Sequence, residues 1–371
     1  MEIKKIQKLY GSLPQAGAFL KTLEDKSATT VFLKGLLASA APLFFSSIHE
    51  RIGTAVLFVL NDADEAGYFY HDLTQIMGQE NVLFFPSSYR RAVKYGQRDA
   101  ASEILRTEVL ARLRKSPSLI SQKGEEQTGN RGNNSLHPDG TLPSGGVGGG
   151  HSLYIVASPE AIAELVITQK QLDERRLSMK VGNTVDIVET ARQLRDYGFR
   201  ETDYVYEPGQ FALRGSILDV YSYNSELPFR LDFFGDEIDS IRTFEVETQL
   251  SKDKKTEIEI VPELSSLTET KIPFLSFLPK DTLLVMKDFT FVHDSIDRIY
   301  KDGFSSQAMT ERMEGKTEAE QQQIRREMVR ESQLVSPSAF AAVASGFRRV
   351  EFGSNAADKA KKRENNGVGD K

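Results

Sequence analysis

The sequence predicts an α/β fold: a parallel sheet layered with helices and interrupted by a small α+β domain that carries an antiparallel sheet. Three observations lead there. Short continuous apolar runs alternate with helical patterns through the first part of the chain, as expected of strands buried on both faces. Between Tyr206 and Gln249 apolar residues instead alternate with charged ones, punctuated by turn formers, which is the pattern of antiparallel strands with one dressed surface. From Phe274 the buried-strand signal returns. The expected organisation is 1–168 as the first part of the α/β domain, 169–262 as the inserted domain, and 263–371 as the second part.

In chain order, Thr29–Leu33, Ala55–Leu60, Val82–Phe85 and Tyr154–Val156 read as buried strands. Helical patterns lie between them over Asp62–Met77 and Ala100–Leu113, the latter with Ile104, Val109, Leu110 and Leu113 near one face. Asp62, Asp64 and Glu65 cap the first of these helices and complement its dipole. Residues 121–150 hold nine of the 27 glycines and almost no apolar residue. Such a segment buries too little surface to offset its ordering entropy, so a disordered insertion is expected. Pro159–Thr168 resumes the α/β pattern. Leu177–Val181 begins the inserted unit, where Thr184 is expected to cap a helix carrying Ile187, Ala191 and Leu194, and Gly198 to end it.

The strand-rich stretch opens at Glu207-Pro208-Gly209 and breaks at Tyr223-Asn224-Ser225 and Gly235-Asp236-Glu237, both of hairpin length. Lys252–Lys255 reads as a charged turn, and Ile258–Val261 as a last strand with Pro262 at its edge. Beyond it, Thr282–Met286 and Val350–Phe352 are strands and Val292–Tyr300 a helix. Glu311–Gln333 is a charged, solvated helix and the tail from Ser354 is frayed.

Composition excludes several classes of function. No cysteine occurs, which removes disulfides, thiolate metal sites and cysteine nucleophiles and accords with a reducing cytoplasm. MEIKKIQKLYGSLPQ has no long apolar segment behind its lysines, so neither signal peptide nor membrane anchor is expected. A net charge of -6 argues against a surface that grips a phosphate backbone throughout. The loop with Tyr89, Arg90, Arg91, Lys94 and Tyr95 has the residue types for stacking and phosphate contact, but a solvated loop is the better reading. The histidines at 49, 71, 137, 151 and 293 show no paired ligand spacing. Asp232, Asp236, Glu237 and Asp239 read as turn and surface charges rather than a metal cluster.

GQFALRGSILDVYSYNSELPFRLDFFGDEIDSIRTFEVETQ carries an RG pair, then a PFRLDFFGDEIDSIR run, then a closing TQ. This pattern resembles the UvrB homology module, most nearly in the version carried by the bacterial transcription-repair coupling factors (the Mfd family). The likeness extends over about residues 20–300, apart from 121–150. It implies a degenerate, RecA-like sheet domain of helicase ancestry, interrupted by a small α+β domain that docks onto UvrA. It further implies that UvrA is gripped through Arg214, Arg230 and Phe234. Arg230, Asp232 and Phe234 share strand parity and therefore one face, whereas the place of Arg214 depends on strand pairing. Without the likeness, solvent-facing arginines and a core phenylalanine are the ordinary readings.

The resemblance also implies where a nucleotide site has been lost. The family's phosphate loop corresponds to Gly35-Leu36-Leu37-Ala38-Ser39-Ala40-Ala41-Pro42, where Ala41 stands in place of the lysine and Pro42 in place of the hydroxyl. Lys287 and Asp288 follow the strand that ends in an acidic pair in the family, so a cation replaces the first metal ligand. These 371 residues are accordingly expected to be a non-catalytic, monomeric, cytoplasmic module without a cofactor. ATP and magnesium belong to the DNA translocase of the full-length family, and RNA polymerase and DNA are met through regions outside this chain. Two other readings stay open: a UvrB-type ATP-dependent helicase or excinuclease subunit, and an unrelated α/β enzyme with a pocket at the strand ends.

Overall fold

The computed structural model describes residues 3–25, 29–88, 99–115, 152–264, 270–303, 310, 313–327 and 333–353. The chain lays down β1 (Thr30–Lys34), β2 (Val56–Val59), β3 (Val82–Phe85) and β4 (Tyr154–Ala157), then leaves through the short β5 (Leu165–Val166). The inserted unit contains β6 (Leu177–Lys180), β7 (Arg200–Glu201), β8 (Gln210–Arg214), β9 (Ile217–Val220), β10 (Phe229–Phe234), β11 (Glu237–Phe244), β12 (Ser251–Lys255) and β13 (Glu257–Ile260). The return runs through β14 (Ile272–Pro273) to β15 (Leu283–Met286) and β16 (Arg348–Gly353).

The large sheet has the order β1-β16-β15-β2-β4-β3 and every pairing in it is parallel. Because side chains alternate along a strand, each central strand feeds two cores. Phe58, Val156 and Val285 face the helices Pro14–Glu24, Ala40–Ser47 and Ala63–Met77. Leu57, Ile155, Leu284 and Met286 face Ala100–Lys115, Phe289–Asp302 and Pro337–Ala344. Burial on both sides explains why these strands read as continuous apolar runs. The fold is α/β with a RecA-like parallel layer and separate antiparallel sheets.

The insert joins this layer at a neck. Leu165 lies opposite Pro273 and Val166 opposite Ile272 in an antiparallel pair, so the outgoing and returning chains run side by side. Beyond the neck stands a six-stranded sheet of order β12-β11-β10-β9-β8-β7, antiparallel except for β7 with β8. Its inner face, with Phe211, Leu218, Val220, Leu231 and Phe233, packs on the helix Ile187–Asp196 and on the separate β6–β13 pair.

Two local expectations are corrected. The helix cap is Asp186, whose carboxylate accepts from the Val188 and Glu189 N–H groups at 2.8 and 3.0 Å. Thr184 instead forms an isolated bridge with Glu237, which takes its backbone away from the helix start. Lys252–Lys255 is not a turn but most of β12, paired with β11. All five residues of β12 are exposed, and an edge strand with water on both faces needs no apolar alternation while its lysines discourage further pairing. Of the helix read over Glu311–Gln333, the segment Glu318–Glu327 is helical. The 121–150 insertion, the Tyr89–Tyr95 loop and the tail from Ser354 lie outside the described residues.

Candidate partner-docking face

The outer face of the inserted sheet carries all three residues implicated by the motif. Strand register settles the place of Arg214. Asp219 lies between Ala212 of β8 and Arg230 of β10, and Arg230 lies opposite Arg242 of β11. Arg214 is two residues along from Ala212 and so shares that face. The register shift between β10 and β11 falls at Asp232/Phe233, yet β10 keeps its own alternation. Phe229, Leu231 and Phe233 are buried, while Arg230 and Asp232 are half-buried and Phe234 is exposed. The expected common face of Arg230, Asp232 and Phe234 is therefore present.

Phe234 is 84% exposed, which removes the reading of it as a core residue. It ends β10 beside Gly235, whose φ of 62° lets the chain turn at once into β11. The two arginines are not free surface groups. Both reach Asp219, whose side chain has 0% exposure. Arg230 donates from Nε and Nη2 to the two Asp219 oxygens at 2.7 and 2.8 Å. Arg214 donates from Nη2 to Asp219 Oδ2 at 2.5 Å and from Nη1 to the Asp203 carbonyl at 2.8 Å. This paired carboxylate raises the Arg230 pKa above the ordinary arginine value, against the opposing effect of burial.

Each guanidinium also covers a ring. Arg214 lies 4.8 Å from the Tyr204 centroid and Arg230 4.4 Å from that of Phe244. Beneath them Val205, Ala212, Tyr221 and Phe244 form a small apolar cluster of their own. Asp232 accepts from Ser240 Oγ at 2.9 Å and forms an ion pair with Arg242. The face thus joins oriented cations to an exposed aromatic ring, the side-chain types that anchor protein interfaces.

Asp219 and Gln249 were not singled out by sequence reasoning. The signal for Asp219 was a charged residue inside the apolar run of Ile217–Val220. For Gln249 it was the TQ that closes the motif.

The residues of the expected nucleotide site cluster at the carboxyl ends of β1, β2 and β15. Gly35 and Ala38 both have positive φ, 91° and 45°, in the loop after β1. Ala41 is 1% exposed and belongs to the core, and Pro42 is buried in the first turn of Ala40–Ser47. Lys287 forms an ion pair with Glu65. Asp288 caps the helix Phe289–Asp302, accepting from Thr290 and Phe291 N–H groups at 2.8 and 3.2 Å. Asp62 likewise caps its helix by accepting from Glu65 N–H. Among the described residues no group of His, Asp and Glu side chains is arranged to hold a metal ion, and no helix is long and apolar enough to cross a membrane.

The fold and site define a RecA-like parallel α/β layer that carries, on a two-strand neck, an antiparallel domain with a cationic and aromatic outer face. Residues 177–265 match the family described as the UvrB interaction domain. The chain is 26% identical over 230 residues to the transcription-repair-coupling factor of Bacillus subtilis (strain 168), covering 62% of this chain and 17% of that protein. It is 42% identical over 100 residues to that of Haemophilus influenzae, covering 27% and 9%. For the Escherichia coli (strain K12) protein the identity is 31% over 145 residues, covering 39% and 13%. The match falls on the inserted domain, and the chain is similar to the N-terminal region of the transcription-repair-coupling factors. It spans less than a fifth of the length of these relatives.

Proposed function

We propose that this chain is an N-terminal part of a transcription-repair coupling factor that binds rather than catalyses. Its inserted domain recruits UvrA to stalled RNA polymerase in transcription-coupled nucleotide excision repair. The observation that carries this reading is Phe234, exposed on the outer face and accompanied there by two arginines held in place by Asp219. What favours an interface is the company of the ring: an aromatic side chain beside oriented arginines is the combination in which binding energy concentrates. Binding without catalysis is supported by Ala41, whose side chain is given over to core packing, and by Lys287, whose charge is met by Glu65. Phosphoryl transfer depends on charges positioned for phosphate and metal, and these groups are committed elsewhere. ATP and magnesium, RNA polymerase and DNA are assigned to other regions of the full-length family.

Calorimetric titration of the chain with purified UvrA tests this reading. The wild-type chain is expected to bind. Phe234→Ala is expected to weaken binding by about 2 kcal/mol or more, the scale of an interface hot spot, with an unchanged melting temperature. Absence of wild-type binding overturns the proposal, and ATP hydrolysis by the chain alone overturns its non-catalytic part.

A further inference from the structure

We infer that Asp219 and Gln249 form a clamp that fixes the Arg230 guanidinium, so that the docking face is set before any partner arrives. The inference rests on the proposed docking role of that face. It assigns a purpose to Gln249, the end of the TQ that closes the motif.

Arginine presents its donors in a rigid planar fork. In Arg230 the Nε and Nη2 edge is taken by Asp219 at 2.7 and 2.8 Å. Gln249 meets the fork from another side, accepting from Nη1 at its backbone oxygen (3.2 Å) and from Nη2 at Oε1 (3.3 Å). The ring of Phe244 lies against the guanidinium plane at 4.4 Å. Two partners in the plane and one stacked on it leave the cation a single orientation.

The second partner is itself held. Gln249 has a φ of 59°, a left-handed conformation that a residue with a Cβ adopts only when its surroundings impose it. Its N–H donates to the Glu245 carbonyl at 2.8 Å, and its Nε2 donates to the Val246 carbonyl at 2.8 Å. Nε2 bound to Val246 leaves Oε1 as the atom presented to Arg230. This turn therefore places both Gln249 acceptors on the guanidinium. A preset cation loses less freedom on binding, and that saving appears as affinity. Asp219 and Gln249 are positioning residues in this arrangement, with Arg230 as the group offered to a partner.

Gln249→Gly is the test variant, because glycine keeps the left-handed turn without strain while removing Oε1. In the free chain, NMR measurement of Arg230 Nη–H exchange is expected to show faster exchange in Gln249→Gly, since Gln249 accepts from both Nη atoms. Against UvrA, Gln249→Gly is expected to bind up to roughly tenfold more weakly, the scale of the cost of ordering one long side chain on binding. In an Arg230→Ala background the same change is expected to have no further effect. Equal losses in both backgrounds, or Arg230 exchange that ignores Gln249→Gly, overturn the clamp. Faster exchange in a chain whose wild type does not bind UvrA leaves the clamp standing and removes the docking role instead.

Discussion

At Asp219 a carboxylate with no exposed surface carries two arginines, and this changes what substitutions on the outer face mean. Burying an ion is costly unless it is paired, and removing one partner strands the other. Asp219→Ala is therefore expected to destabilise the inserted domain by about 3–5 kcal/mol, measured by urea unfolding. Arg230→Ala is expected to cost more than Arg214→Ala, because Arg230 engages both carboxylate oxygens and is 15% exposed against 33%. Loss of binding by either arginine variant thus mixes affinity with stability, contrary to a reading of them as free surface anchors. Phe234 is free of this ambiguity, and its loss of binding reports the interface directly. That Arg230 and Phe234 share a face was legible from strand parity. That Asp219 lies between the arginines was not, because its neighbours come from the pairing of three strands.

Among the elements, the helix Ile187–Asp196 separates a local rule from its tertiary override. Thr184 and Asp186 both have side chains suited to capping, and their spacing alone does not choose between them. The bridge from Thr184 to Glu237 chooses, since it ties that part of the chain to β11. Asp186→Ala is expected to lower stability by about 1 kcal/mol, whereas Thr184→Ala is expected to stay within about 0.5 kcal/mol, both read from thermal or urea unfolding. A similar override makes β12 a strand: its residues form a highly charged, fully exposed run, and only the neighbouring β11 ladder draws them into extended pairing. The hairpin at Gly235, by contrast, was visible in advance because a tight turn needs positive φ and glycine supplies it.

Across the whole molecule, a groove between the α/β layer and the insert brings Tyr70 and Glu108 of the first together with Glu226 of the second. Burial raises the Glu108 pKa, Arg112 partly opposes this, and Glu226 adds to it. A carboxyl whose folded pKa is raised binds its proton more readily in the folded state, so its charge costs stability at neutral pH and the cost is relieved as the pH falls. Glu108→Gln is expected to raise the melting temperature at pH 7, with the gain shrinking as the pH approaches and falls below the ordinary glutamate value of 4.5. Elsewhere at the junction, Glu259 of the insert is held by Arg176 and faces Arg114 of the α/β layer. Local periodicity was enough for the buried strands, the split between a parallel layer and an antiparallel insert, and the common face of Arg230 and Phe234. All of these follow from repeats of two or 3.6 residues that act within a segment. The order of the six parallel strands, the extended pairing of β12, the meeting of Arg214 and Arg230 on one carboxylate, and the pairing of Lys287 with Glu65 from 222 residues away emerge from the packed fold alone. Such contacts depend on which distant segments pack together, and no local period encodes that.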